Sequence, residues 1–225
     1  MVKVLIFDMD GTLIDTDEII YRTWKELFLE YKPKDYVIDR EVVRTFSGPP
    51  VEQSINFAFP ELDPDFVLKE YRKRTAKYYE DCLKMFPGEL EIIHKLHDDG
   101  YIFCAATSKN KEMTIKCLET YGIKDYFTYV LTSSDPFKHK PDPDMLNFII
   151  EKLNVSKDEV VMIGDTKFDY LAAKNAGVKC ILFTGSPRKY EEDIKPFAFT
   201  PTYEKMYEII KKISFFAVAW FLTIL

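Results

Sequence analysis

Five short apolar runs recur along this chain, at Val2–Phe7, Tyr101–Ala106, Tyr129–Leu131, Val160–Ile163 and Val178–Phe183. No other feature restricts the fold as much. Such runs, without polar alternation, read as strands buried on both faces. Between them, Glu89–Asp98, Lys111–Tyr121, Pro143–Leu153 and Phe168–Ala176 carry helical spacing. Pro87 or Pro143 fits at or near a helix start, and Gly100, Gly122 and Gly177 fall just past helix ends. Strands alternating with helices need crossover connections, hence a parallel sheet covered on both faces. The expected fold class is α/β: a doubly wound, mostly parallel sheet core.

One segment departs from this rhythm. From about Thr16 to Leu83 the chain shows helical spacing only, at Glu18–Tyr31, Arg40–Phe46, Val51–Phe57 and Pro64–Asp81, joined by KPKDY, SGPP and FPELDP. An insert following the carboxyl end of a strand lies over the edge where open α/β sheets bind ligands. The expected division is an α/β core domain of residues 1–15 and 84–213, an inserted α-helical cap domain of residues 16–83, and an apolar tail of unassigned role at 214–225. The uncharged stretch ISFFAVAWFLTIL, residues 213–225, would span about 20 Å as a helix, short of a hydrocarbon core of about 30 Å. It is read as an anchor lying in a membrane, a dimerisation segment, an extra packed element or an unrelated tail. Membrane contact is expected only if it is used, and the chain is expected as a monomer or homodimer.

Charge narrows the partners. With 31 Lys and Arg against 37 Asp and Glu, the formal net charge is −6, which speaks against a nucleic-acid surface. A small anionic substrate stays open, because local charge decides it. The four cysteines, Cys82, Cys104, Cys117 and Cys180, include no C-x-x-C pair and are expected to be reduced, as in a cytoplasmic protein. Met1 leads directly into the first strand, with no signal peptide visible.

At the carboxyl ends of the strands a particular set of residues collects. Asp8 and Asp10 follow the first, Thr107 and Ser108 the second, Lys140 in KHKPDP the third, and Gly164, Asp165 and Asp169 in GDTKFD the fourth. A parallel sheet makes these ends neighbours. Four carboxylates in one partly desolvated cleft repel one another and call for a cation, and Mg²⁺ suits a site of few carboxylates that keeps room for water and phosphate oxygens. The Thr107 hydroxyl and nearby N–H groups can donate to a phosphoryl group, and Lys140 supplies a point charge. Ser108 can do the same or close a turn. Asp8 can attack phosphorus to give an aspartyl phosphate, while Asp10 protonates the leaving oxygen and later takes a proton from water.

These motifs resemble those of the haloacid dehalogenase-like hydrolase superfamily, in its phosphatase branches with a helical cap. The likeness rests on D-x-D-G-T within FDMDGTLIDT, on Thr107 after an apolar strand, on Lys140 before Pro141 and Pro143, and on GDTKFD, in order over residues 4–169. It implies a Rossmann-like fold and a Mg²⁺-dependent phosphatase acting on a small phosphorylated metabolite. It implies Asp8 as nucleophile and metal ligand, and Asp10 as general acid/base whose backbone carbonyl also binds metal. Asp165 would be a further ligand, Asp169 a water-mediated or outer partner, and Thr107 and Lys140 phosphate binders. FSGPPVEQSI resembles the cap loop of the phosphoglycolate phosphatase-like group, and the bacterial pyrophosphatase branch carries a similar loop. A sugar phosphomutase is disfavoured: that branch carries a cap histidine near the place of Ile20 and a basic residue where Pro49 and Pro50 stand. A scaffold that keeps the fold without the activity is disfavoured by the intact motif set.

Other candidates read as structural. His94 and His97 sit three apart on an amphipathic helix, and no third metal ligand is evident. Trp24, Tyr71, Tyr78 and Tyr79 read as cap packing, with one or two available to a substrate pocket. KEYRKR, residues 69–74, reads as a solvated face that could also attract an anion.

Overall fold

The computed structural model describes the backbone of residues 1–222 and the side chains of residues 1–214. Six strands form one parallel sheet: β1 Val4–Phe7, β2 Ile102–Ala106, β3 Phe127–Leu131, β4 Val160–Gly164, β5 Lys179–Phe183 and β6 Ala198–Thr200. Their order is β3-β2-β1-β4-β5-β6. The direction of winding therefore reverses beside β1, which pairs with β2 on one side and β4 on the other, Phe7 lying opposite Ala105 and Ile163. Such a switch point opens a crevice at the carboxyl edge of the sheet.

The uninterrupted apolar runs follow from this burial. Leu5 and Phe7 of β1 point into one core cluster, while Val4 and Ile6 point into the other. Helices α5 (Glu89–Asp98), α6 (Lys111–Thr120) and α9 (Tyr203–Leu222) lie on the first side, and α7 (Asp144–Leu153) and α8 (Lys167–Ala176) on the second. The three glycines expected past helix ends, Gly100, Gly122 and Gly177, take φ of 85°, 67° and 75°. Pro143 immediately precedes α7. All four cysteines are free thiols.

The sheet has one strand more than the sequence reading found. β6 is a three-residue edge strand with Phe199 half-exposed, too short and too open to carry an apolar signature. Helix α9 runs on through the start of the apolar tail as far as Leu222; the role of 214–225 otherwise lies outside the described residues. Among the described residues, no helix is long and apolar enough to cross a membrane.

Between β1 and β2 stand α1 (Asp17–Tyr31), α2 (Arg40–Arg44), α3 (Val51–Ala58) and α4 (Pro64–Cys82). They surround their own apolar cluster, built on Trp24, Leu27, Phe28, Ile55, Phe59 and Val67. The Trp24 ring lies 4.6 Å from Phe46 and 5.4 Å from Tyr71, centre to centre. The two chain segments joining these helices to the sheet meet where Asp15 N–H donates to the Lys84 carbonyl, 3.0 Å, and the Lys84 ammonium pairs with the Asp15 carboxylate, 3.0 Å.

Candidate active site

Three residues of the site, Asp8, Thr107 and Asp165, are the first polar groups past buried strands. Asp8 follows β1, and its N–H is held by the Ile163 carbonyl of β4 at 2.9 Å. Thr107 follows β2, its N–H held by Leu131 of β3 at 3.0 Å. Asp165 follows β4. Glycine is obligatory at two places in this crowd. A side chain on Gly11 would stand 2.1 Å from Asp165 Oδ2, and one on Gly164 would stand 2.2 Å from Asp169 Cγ. Gly11 also has φ of 78°, which lets the chain turn sharply after the two acids.

Asp8, Asp165 and Asp169 form one cluster, each offering a carboxylate oxygen within 4.8 Å of the others. All three are buried. Lys140 lies among them, its ammonium 2.8 Å from Asp8 Oδ1 and 2.6 Å from Asp169 Oδ1. Burial chiefly, with Asp169 and Asp165 adding repulsion, pushes the Asp8 carboxyl up to about 7 against the pull of Lys140. Asp165 is likewise raised by burial, and there Arg188 pulls the other way. Burial works against the Lys140 charge, but Asp169 and Asp8 outweigh it and hold the lysine protonated.

Lys140 and Arg188 set two positive charges against three carboxylates. Asp165 Oδ1 is buried without a hydrogen-bond partner among the described residues. Three carboxylates and an orphaned oxygen are the donor set a hard divalent cation takes, so Mg²⁺ fits the residues present. Asp169 has a second task. Its Oδ2 accepts from Thr166 N–H at 2.9 Å and from the Thr166 hydroxyl at 2.6 Å, capping α8.

Asp10 stands apart from the cluster. Its carboxylate accepts from the Lys109 ammonium at 2.8 Å and from the Tyr79 hydroxyl at 3.1 Å, and Lys109 and Tyr79 also contact each other. The side chain expected to move protons is thus held by a core lysine and a cap tyrosine. Any part it takes in metal binding falls to its backbone carbonyl.

Thr107 is buried, and its oxygen accepts from Lys109 N–H at 3.2 Å, which leaves its own proton to give. Ser108, expected to serve phosphate or a turn, lines the cleft beside Thr107 and donates to the Gly48 carbonyl in the loop before α3 at 3.0 Å. It joins the helical layer to the sheet.

A cavity of about 100 Å³ lies where the two layers meet, lined by Asp8, Asp10, Thr107 and Lys109 from the sheet side and by Pro49, Arg72 and Tyr79 from the helices. Tyr71 also lines it, so two of the aromatics read as packing face the pocket. Within KEYRKR, Arg72 borders the cavity while Arg74 pairs with Glu30 and Glu70. A larger cavity, of about 320 Å³, is lined by Asp165 but not by Asp8, Asp10 or Thr107, which line the smaller one. His94 bonds the Tyr126 hydroxyl at 2.7 Å and His97 stacks on that ring, as structural residues do.

Sequence reasoning missed Lys109, Arg188 and the particular task of Tyr79. Lys109 follows Thr107 and Ser108 directly, and its place at the same sheet edge was the available signal. Arg188 follows β5 at that edge, and its guanidinium Nε lies 2.8 Å from Asp165 Oδ2.

The sequence model of haloacid dehalogenase-like hydrolases matches residues 5–183. Pyrophosphatase PpaX of Halalkalibacterium halodurans is 32% identical over 181 residues, covering 79% of this chain and 81% of that protein. Among solved structures, a predicted phosphoglycolate phosphatase from Haemophilus somnus superposes with a TM-score of 0.78 at 21% identity, over 93% of this chain and 98% of that one. CbbY from Rhodobacter sphaeroides, solved in complex with phosphate, gives 0.75 at 22% identity, over 90% and 95%. At these identities the structural likenesses speak for the fold.

Proposed function

This chain belongs to the haloacid dehalogenase-like hydrolase family and is a phosphatase of it, and from that premise we propose that it is Mg²⁺-dependent, works through a phosphoryl group carried on Asp8, and takes pyrophosphate as substrate. The observation that carries the mechanism is the meeting of Asp8, Asp165, Asp169 and Lys140 in one buried cluster. Asp8, Asp165 and the carbonyl of Asp10 would hold the ion, with Asp169 beside them. The ion would supply positive charge to the carboxylates and to the phosphoryl oxygens. Thr107 and Lys140 bind the transferring group and orient it. The Asp8 carboxylate attacks phosphorus as the bond to the leaving oxygen breaks, and Asp10 gives that oxygen a proton. Asp10 then takes a proton from water as the water oxygen attacks phosphorus and the bond to Asp8 breaks, releasing phosphate.

The choice of substrate rests on size and charge. Small-molecule pockets commonly hold about 300–1,000 Å³, and this one holds about 100 Å³. Beyond the attacking Asp8 it presents Arg72, 3.8 Å from Glu52, and Lys109, which is shared with Asp10, as cations for a second anionic group close to the first. Pyrophosphate meets both conditions, and the Halalkalibacterium halodurans relative is named a pyrophosphatase. A two-carbon phosphate ester with a carboxylate, as in phosphoglycolate, is the second reading, favoured by the same charges. This reverses the order expected from the sequence alone.

Residues 16–83 would act as a cap that closes on the cleft, with the Asp15–Lys84 pairing as its hinge. The free thiols accord with a reducing compartment, and we place the enzyme in the cytoplasm. The test is turnover of pyrophosphate, phosphoglycolate and p-nitrophenyl phosphate, with and without Mg²⁺, by this protein and by Asp8→Asn. The reading predicts pyrophosphate as the best substrate and no turnover with chelator or with the variant. Metal-independent turnover, or turnover by Asp8→Asn, would refute the mechanism; preference for the ester would refute the first substrate reading.

A further inference from the structure

Arg188 belongs to no motif of the proposed reaction, yet it is built into the site by contacts on two sides. It lies in the segment after β5, and its side chain is 12% exposed against 0% for its partner Asp165. Its Nε donates to Asp165 Oδ2 at 2.8 Å, and a terminal nitrogen donates to the carbonyl of Arg44, the last residue of α2, at 2.5 Å. Carbonyls in the last turn of a helix lack partners within it, and a cation there also meets the negative end of the helix dipole. The loop itself is pinned. The Tyr190 hydroxyl donates to the Asp165 carbonyl at 2.9 Å and lies 3.3 Å from the Phe183 carbonyl.

A buried ion pair is a poor device for stability, since desolvation offsets the attraction. Arg188 therefore has a different use. Its planar fork spans two acceptors in a fixed geometry, which lysine cannot do. One acceptor is a carboxylate of the metal cluster, the other the backbone of a cap helix. Asp165 has two oxygens; Arg188 engages Oδ2, and Oδ1 is buried without a hydrogen-bond partner among the described residues.

We propose that Arg188 is a positioning residue for the metal site: its guanidinium holds Asp165 by Oδ2, keeps Oδ1 available to a divalent cation, and ties that orientation to the cap through the Arg44 carbonyl. The inference rests on reading Asp8, Asp165 and Asp169 as that site. Partners that orient a metal ligand typically govern about 10–100-fold in affinity. A competing role would have the opposite sign, because an arginine occupying the cation's place loosens metal binding and its removal tightens it.

The experiment is calorimetric titration of the full chain with Mg²⁺, repeated with Mn²⁺ by electron paramagnetic resonance. It compares the protein with Arg188→Met, Arg188→Lys and Arg44→Met, and thermal melting in chelator establishes that each variant is folded. Arg44→Met removes that side chain's pairing with Asp17 and Glu41 while leaving the carbonyl that Arg188 uses. Arg188→Met should bind either ion about 10–100-fold more weakly, Arg188→Lys should recover little of this, and Arg44→Met should match the unaltered protein. Unchanged or tighter binding by folded Arg188→Met would overturn the proposal, as would equal weakening in Arg44→Met. Failure of the unaltered protein to bind either ion would instead overturn the metal-site reading beneath it.

Discussion

Asp8 and Asp10 are two residues apart, and their side chains are held by different parts of the molecule. The Asp8 side chain is 6% exposed and is paired with Lys140, from the loop leading to α7. The Asp10 side chain is 24% exposed and shared between Lys109 of the core and Tyr79 of α4. The partners of the first carboxylate all come from the sheet side. The second is held in part by the helical layer, through Tyr79. Under the proposed mechanism the difference would separate the place of covalent chemistry from a proton-transfer group whose position depends on a residue of the helical layer.

The largest effect that would sharpen this contrast is Asp8→Asn. It should lower turnover by at least about 10³-fold, as loss of a nucleophile does, while the melting temperature in chelator holds or rises because a crowded buried carboxylate is gone. Retained turnover, measured as phosphate release, would break the distinction outright. Next comes Lys140→Met, which leaves Asp8 and Asp169 facing each other without their cation. Removing one partner from such a buried pair costs about 3–5 kcal/mol, so denaturant unfolding should show a large loss that added Mg²⁺ partly restores.

On the Asp10 side the expected effects are smaller and of another kind. Tyr79→Phe removes one hydrogen bond to Asp10, worth about 0.5–1.5 kcal/mol. Turnover should fall up to about tenfold with little change in melting temperature. Equal losses of stability and activity would mean that Tyr79 serves packing, not Asp10.

Glu89 shows what a buried acid does with no cationic partner among the described residues. Burial pushes its carboxyl well above the usual range, although Phe86 N–H donates to it at 2.9 Å. Below the unfolded value of about 4.5 both states are protonated. As pH rises past that point the unfolded chain ionises first, so stability falls until the folded carboxyl also ionises, with a slope of at most about 1.4 kcal/mol per pH unit. Glu89→Gln should flatten this decline without touching turnover, as urea unfolding at stepped pH would reveal. An unchanged pH profile would contradict the assignment.

The sheet side and the helical layer also differ in how far the sequence disclosed them. Asp8, Thr107, Lys140, Asp165 and Asp169 were legible because each follows a buried run or stands in a recognisable string, and a parallel sheet brings such ends together. Of the strands, only β6 escaped, since three residues at a half-exposed edge leave no pattern. The cap helices were readable as helices, but their reach into the cleft was not. Tyr79 is 69 residues from Asp10 and sits on a helix where an aromatic ordinarily means packing. Gly48, which accepts from Ser108, acts through its backbone and leaves no side-chain signal. Arg188 stands in SPRKYEE, a string that reads as a surface turn until the fold carries it to Asp165.

The most direct test of the account is to find where phosphorus goes. Rapid acid quench of the Mg²⁺-loaded protein during turnover of pyrophosphate, or of the best substrate found, followed by peptide mass spectrometry, should place one phosphoryl group on Asp8, labile to hydroxylamine. A phosphoryl group on another residue, or full turnover with none trapped on Asp8 under conditions that slow its hydrolysis, would contradict it.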